Sequence, residues 1–98
     1  MTGRDFYDHQ AAIYEARNDL PSRLSLELPF IRCALEKAGS QTVLDVACGS
    51  GHHAIALARE GYAVSGADVG DEMVALARHN AAKAGLSVRF GQAGFAEI

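Results

Sequence analysis

The sequence is short of every feature that would place it in a membrane, in an oxidising compartment or on a phosphate backbone. No apolar run approaches the roughly 18 residues of a membrane span. The N-terminus, Met1-Thr2-Gly3-Arg4-Asp5, leads into a mixed polar segment and not into the apolar core of a secretory signal. Nine lysines and arginines stand against twelve acids, a formal charge of −3, and the basic residues are scattered, so no stripe marks a nucleic-acid face. The two cysteines, Cys33 and Cys48, form no CxxC pair and have no histidine at metal-ligand spacing, which leaves no metal site indicated. Both are expected to be buried, reduced thiols, since free cysteine behaves as a small hydrophobe. Repeats and low-complexity segments are also lacking. The expectation is a soluble, cytoplasmic protein with no nucleic-acid or membrane partner indicated. At 98 residues it would bury only roughly 60–65% of its surface, so its stability would be thin.

What is present is a regular alternation of helical and strand patterns. Phe6, Gln10, Ile13, Tyr14 and Arg17 recur at helical spacing over residues 5 to 17, with Tyr7 and His9 beside the stripe. Asn18-Asp19-Leu20-Pro21-Ser22 breaks that pattern, because a residue before proline avoids the helical region. From Leu24 to Lys37 a second helix places Leu28, Ile31, Ala34, Leu35 and Ala38 on one face, with its regular part starting near Pro29 and a stop at Gly39.

Residues 42 to 47 are apolar and β-branched apart from Asp45, which suits a strand covered on both faces. A glycine loop and a helix carrying Ala54, Leu57 and Ala58 follow, as far as Gly61. Tyr62 to Ala67 reads as a second strand closed by Asp68. A further helix, started by Gly70 and Asp71, carries Met73, Leu76, Ala77, Ala81 and Ala84 to a stop at Gly85. Ser87 to Phe90 alternates as a third strand.

Two helices followed by β-α-β-α-β, with right-handed crossovers, make an α/β fold with a parallel sheet in the order 3-2-1. That is the N-terminal half of a doubly wound, Rossmann-like fold. Residues 1–39 would be a helical cap and 40–98 a partial cofactor-binding α/β domain. The most apolar strand would then lie at an open edge, so the chain is expected to be a fragment, truncated before the rest of the sheet, or to meet a second copy or a partner there.

The chemistry gathers at Val43-Leu44-Asp45-Val46-Ala47-Cys48-Gly49-Ser50-Gly51. Gly49 and Gly51 let the backbone approach a ligand and turn from strand into helix. Gly49-x-Gly51-x-x-Ala54 also fits a dinucleotide fingerprint, with Asp68 as the acid that would accept ribose hydroxyls. Against that stands Asp45, a carboxylate where pyrophosphate would have to sit. A cationic adenosyl ligand removes the conflict, although Asp45 could equally be a structural group bonded to the loop's own N–H groups. His52 and His53, adjacent at a helix start, point about 100° apart and share no ligand face, and His9 and His79 are expected to be solvated.

The run VLDVACGSG, a small-residue helix and then VSGADVGDEM resemble the first and second motifs of class I S-adenosylmethionine-dependent methyltransferases. VLDVACG in particular looks like the glycine N-methyltransferase branch. The resemblance implies S-adenosylmethionine as cofactor, with Asp45, Ala47, Cys48, Gly49 and Gly51 on the positions lining its methionyl part. By the same resemblance Asp68 falls on the ribose acid, and Val69 and Met73 on the positions flanking adenine.

Ahead of motif one, Tyr7-Asp8 and Tyr14-Glu15 resemble a paired tyrosine-acid pattern, which implies Tyr14 as a cofactor-binding residue, and Arg23 matches an arginine that grips the cofactor carboxylate. The sequence departs from the family at Ala47, where the first glycine of GxGxG usually stands. It departs again at Gly70, in place of a capping serine, and at Gly94, in place of the acid that receives the adenine amino group; Gln92 or Phe95 could substitute there. The implied activity is methyl transfer to a small-molecule acceptor, with the catalytic residues unassigned. The alternatives are a non-catalytic module that a partner completes and a nicotinamide-binding Rossmann fragment.

Overall fold

A computed structural model describes residues 3–18 and 20–94, with side chains at 6–14 and 21–94. Two helices, α1 (Gly3–Asn18) and α2 (Leu20–Ala38), precede β1 (Thr42–Val46), α3 (His52–Arg59), β2 (Ala63–Asp68), α4 (Asp71–Lys83) and β3 (Arg89–Gln92). The three strands are parallel and ordered β1-β2-β3, the expected 3-2-1 half of a doubly wound sheet. β1 pairs with β2 alone among the described residues, and Leu44 in it is 50% exposed, so the apolar edge expected from the sequence is there.

The core lies between the sheet and the helices. Val64 of β2, Ala54 and Leu57 of α3, Val74 and Ala77 of α4 and Phe90 of β3 make one cluster, against which Leu28, Ile31 and Leu35 of α2 pack. α2 runs unbroken from Leu20, earlier than expected, because Pro21 falls in its first turn, where a missing N–H costs nothing. Pro29 lies inside the helix and not at its start. The bond it forgoes is to the carbonyl of Ser25, an exposed residue, so no buried acceptor is stranded.

Two readings of side-chain position and one strand boundary are corrected. Cys33 is exposed on α2 and Cys48 is half-buried, so the pair is not a buried one. In α1 the inward positions are Tyr7, Ala11 and Tyr14, while Phe6 and Ile13 are exposed. The third strand begins at Arg89, two residues late, where pairing with Ser65 begins. The side chains of Glu15 and Arg17, residue Asp19, and Phe95 with the rest of the C-terminal loop lie outside the described residues.

Phe90 is the packing element that positions the site. Its ring lies so close to β2 that a Cβ on Gly66 would come within 2.6 Å of it, and one on Gly51 within 2.9 Å. A side chain at either glycine would displace the ring. Gly66→Ala should therefore lower unfolding free energy by about 1–3 kcal/mol. Adding Phe90→Leu should cost less in that background than in the wild type, since the two changes share one space. Urea unfolding of the four proteins measures both; strict additivity would refute the shared contact.

Candidate functional site

Where β1 ends, the chain turns into α3 by placing Ala47 (φ 55°), Gly49 (φ 57°) and Gly51 (φ 84°) in the left-handed region. Cys48 N–H donates to the Ala67 carbonyl (2.9 Å), Gly51 N–H to Cys48 (3.0 Å) and Ile55 N–H to Gly51 (2.8 Å), so the turn is bonded from strand to helix. Ser50, 2% exposed, is held twice. Its carbonyl accepts from Asn80 Nδ2 at 2.9 Å, and its hydroxyl shares a 2.8 Å hydrogen bond with His52 Nδ1. Ala47 bears the cost of the departure from glycine, since a Cβ in this conformation is disfavoured by roughly 1–2 kcal/mol.

Asp68, at the end of β2, joins this turn to the next one. One carboxylate oxygen accepts the Gly49 N–H and the other the Gly70 N–H, both at 2.9 Å. Each oxygen keeps a further lone pair for a ligand hydroxyl. The loop bond left open for Asp45 is thus made by Asp68, and no side-chain hydrogen bond to the Asp45 carboxylate is found among the described residues. Burial pushes the Asp45 carboxyl above its ordinary value of 3.8, opposed by His53 and reinforced by the charge of Asp68. Cys48, beside both acids, is held as a neutral thiol: burial and then the Asp45 and Asp68 charges push it up to about 11. Its Sγ lies 3.6 Å from the Gly49 carbonyl.

Other predicted residues gather around this centre. The Tyr14 hydroxyl lies over Gly49, so that a Cβ there would come within 2.9 Å of it. Met73 packs beside Gly70, and Val69 is 69% exposed at the rim. Gln92 Nε2 donates to the Val69 carbonyl at 2.9 Å, and these two residues with Ala93 and Gly94 line a hollow of about 310 Å³. A larger hollow of about 1010 Å³, among Thr42, Ala63 and Leu86, shares no lining residue with the glycine loop.

Arg23 is not brought to the loop by any described contact. It pairs with Glu27 along its own helix, Nε to Oε1 3.3 Å, and half its side chain is exposed. The histidines at the start of α3 diverge as expected, His52 to Ser50 and His53 towards Glu27 at 3.9 Å. No group of three metal-ligating side chains occurs among the described residues. No helix among them is long and apolar enough to cross a membrane.

Sequence reasoning missed His79, which is not solvated. Its side chain is 15% exposed and its Nε2 lies 2.9 Å from Asp8 Oδ1. It also missed Ser50 with Asn80, and Phe90 over the two glycines. A signal for the last was available in the glycine at 66, a weak residue for a buried strand.

Residues 43–98 match the family described as a methyltransferase domain. The chain is 44% identical over 61 residues to the ubiquinone biosynthesis O-methyltransferase of Serratia proteamaculans, which covers 59% of this chain and 25% of that protein. It is 39% identical over 75 residues to the glycine/sarcosine N-methyltransferase of Parasynechococcus marenigrum, covering 76% and 27%. Among solved structures, an S-adenosylmethionine-dependent methyltransferase from Clostridium acetobutylicum superposes with a TM-score of 0.74 over 94% of this chain and 38% of its own; at 21% identity that likeness concerns the fold.

The chain belongs to the S-adenosylmethionine-dependent methyltransferase family. It spans about a quarter of the length of these curated relatives. Similarity to O- and N-methyltransferases alike leaves the glycine N-methyltransferase branch as one relative among others.

Because Ala47 occupies a conformation that glycine adopts freely, Ala47→Gly should raise unfolding free energy by about 0.5–1 kcal/mol, net of the extra chain entropy of glycine. Thermal unfolding measures it; a lower midpoint would mean that the Ala47 methyl makes a contact worth more than the strain.

Proposed function

We propose that this chain forms the S-adenosylmethionine-binding part of a methyltransferase acting on a small-molecule acceptor. The observation that carries the reading is the pair of acids at the loop: Asp45, half-buried with its carboxyl pushed up by burial and by Asp68, stands where a phosphate would be repelled. A ligand with a sulfonium and an ammonium relieves that repulsion, and one with pyrophosphate aggravates it.

The residues present fit such a ligand. Gly49 and Gly51 would let it approach the backbone, Asp68 has lone pairs to spare for ribose hydroxyls, and Asp45 would face the cationic methionyl part. Val69 and Met73 would flank adenine. Arg23, engaged by Glu27, gains no support as the carboxylate grip. The bound cofactor supplies a methyl group already activated by the positive sulfur. The task left to this chain is orientation and exclusion of water, a proximity effect. The names of the similar proteins, for glycine and sarcosine and for ubiquinone biosynthesis, favour a small-molecule acceptor. The open edge of β1 favours a second reading, in which binding by the isolated chain is weak until further strands cover Leu44.

Calorimetry with S-adenosylhomocysteine and with NAD tests the proposal: heat is expected with the first, and tight NAD binding with no response to the first would overturn it. Asp68→Asn should weaken S-adenosylhomocysteine binding by about tenfold, equivalent to ~1.4 kcal/mol, because the ribose loses an anionic acceptor. An unchanged affinity would reject the ribose role.

Asp45 gives a pH-dependent check. Its carboxyl sits above 3.8 in the folded chain, so ionised Asp45 destabilises folding; that cost is present above the raised value and is gone once the pH falls below the unfolded value. Asp45→Asn should therefore raise the melting temperature at pH 7 and by progressively less on acidification. It should also cut the preference for S-adenosylmethionine over its homologue uncharged at sulfur by about tenfold. An unchanged ratio would remove Asp45 from the methionyl side.

A further inference from the structure

Outside the loop, one polar cluster joins two helices far apart in sequence. A single oxygen of Asp8 on α1, Oδ1, takes both His79 Nε2 at 2.9 Å and Lys83 Nζ at 2.8 Å. His79 and Lys83 are four residues apart on α4 and so share one face. The Tyr7 ring stacks on the imidazole, with centroids 5.5 Å apart and planes at 29°, and Phe6 meets Tyr7 edge-on at 5.3 Å. These groups form a mixed seam in which the carboxylate is 35% exposed and the imidazole mostly covered.

The seam lies on the same face of α1 as Tyr14, since positions seven apart in a helix align. Tyr14 is the residue whose hydroxyl rests on Gly49. Fixing α1 at Tyr7 and Asp8 therefore fixes the hydroxyl over the loop, roughly 9–10 Å along the helix axis. Elsewhere on α1, Phe6, His9, Gln10 and Ile13 are exposed.

We propose that Tyr7, Asp8 and His79 are positioning residues, a latch that clamps α1 against α4 so that Tyr14 covers the glycine loop and shuts the cofactor cleft. The role in binding rests on the cofactor site proposed above; the clamp itself does not. The carboxylate end of the latch stays charged in acid, since the Lys83 hydrogen bond and then that of His79 lower the Asp8 carboxyl to about 2. Salt weakens the latch, because the Lys83 side chain is 57% exposed and its pairing is screened.

Two measurements test it. In hydrogen exchange on the free protein, Asp8→Asn should speed exchange in α1 by about tenfold while β2 is unchanged, and added salt should do the same to the wild type without any substitution. An α1 that exchanges equally fast in both proteins and at both salt concentrations would overturn the clamp, whatever the ligand does. In calorimetry, S-adenosylhomocysteine should bind Asp8→Asn about 3–10-fold more weakly, Asp8→Glu should restore most of the affinity, and the loss should vanish in a Tyr14→Phe background. An equal loss in both backgrounds would mean that Asp8 acts on overall stability, and would overturn its positioning role. A wild-type chain that fails to bind S-adenosylhomocysteine would overturn the cofactor reading and the latch's part in it, and the exchange data would tell that failure from a failure of the clamp.

Discussion

Everything at the mouth of this sheet depends on one carboxylate. Asp68 leaves β2 where the strand pairing ends and immediately takes two backbone N–H groups, one from the loop after β1 and one from the turn into α4. Hydrogen bonds to an ionised acceptor are roughly twice as strong as neutral ones, so a single side chain keeps two otherwise independent loops in register. The same bonds fix the sign of the cleft. A loop of this shape, with glycines at a helix start, would suit an anion if its neighbours were neutral. Here Asp68 is bonded to both loops and Asp45 stands beside it, so the neighbours are two acids.

That arrangement is bought with local instability. Ala47 is strained, Asp45 has its carboxyl pushed up by burial, and Leu44 lies half-exposed on an edge that no described strand pairs. All three fall within four consecutive positions at the end of β1. Strain concentrated at one site and supported by the surroundings is the pattern of a functional region, because a sequence under selection for stability alone would relieve each of these.

The order of elements was legible because its signals are local: a β-branched run, a glycine turn and a helical stripe, twice over. The loop and Asp68 were legible for the same reason, as was the unpaired strand edge. What the sequence withheld depends on partners distant along the chain. The inward face of α1 is turned to Tyr7, Ala11 and Tyr14 because α4 offers it His79 and Lys83 in place of an apolar groove, and hydropathy periodicity has no means of scoring an imidazole as a docking surface. Cys33 is exposed because α2 buries the Leu28, Ile31 and Leu35 side, and an isolated thiol carries no directional signal. Pro29 was read as a boundary, whereas the exposed carbonyl it leaves unpaired makes it harmless.

The Phe90 ring has a kinetic consequence. It belongs to β3, yet it fills the space between Gly66 in β2 and Gly51 at the start of α3. The glycine turn can be closed by its own hydrogen bonds early, but it gains its packing only when a residue 39 positions further along arrives. Contacts of such sequence separation form late in folding, after the entropy of the intervening segment has been paid. During synthesis the glycine turn would thus gain this packing only after β3 docks on β2.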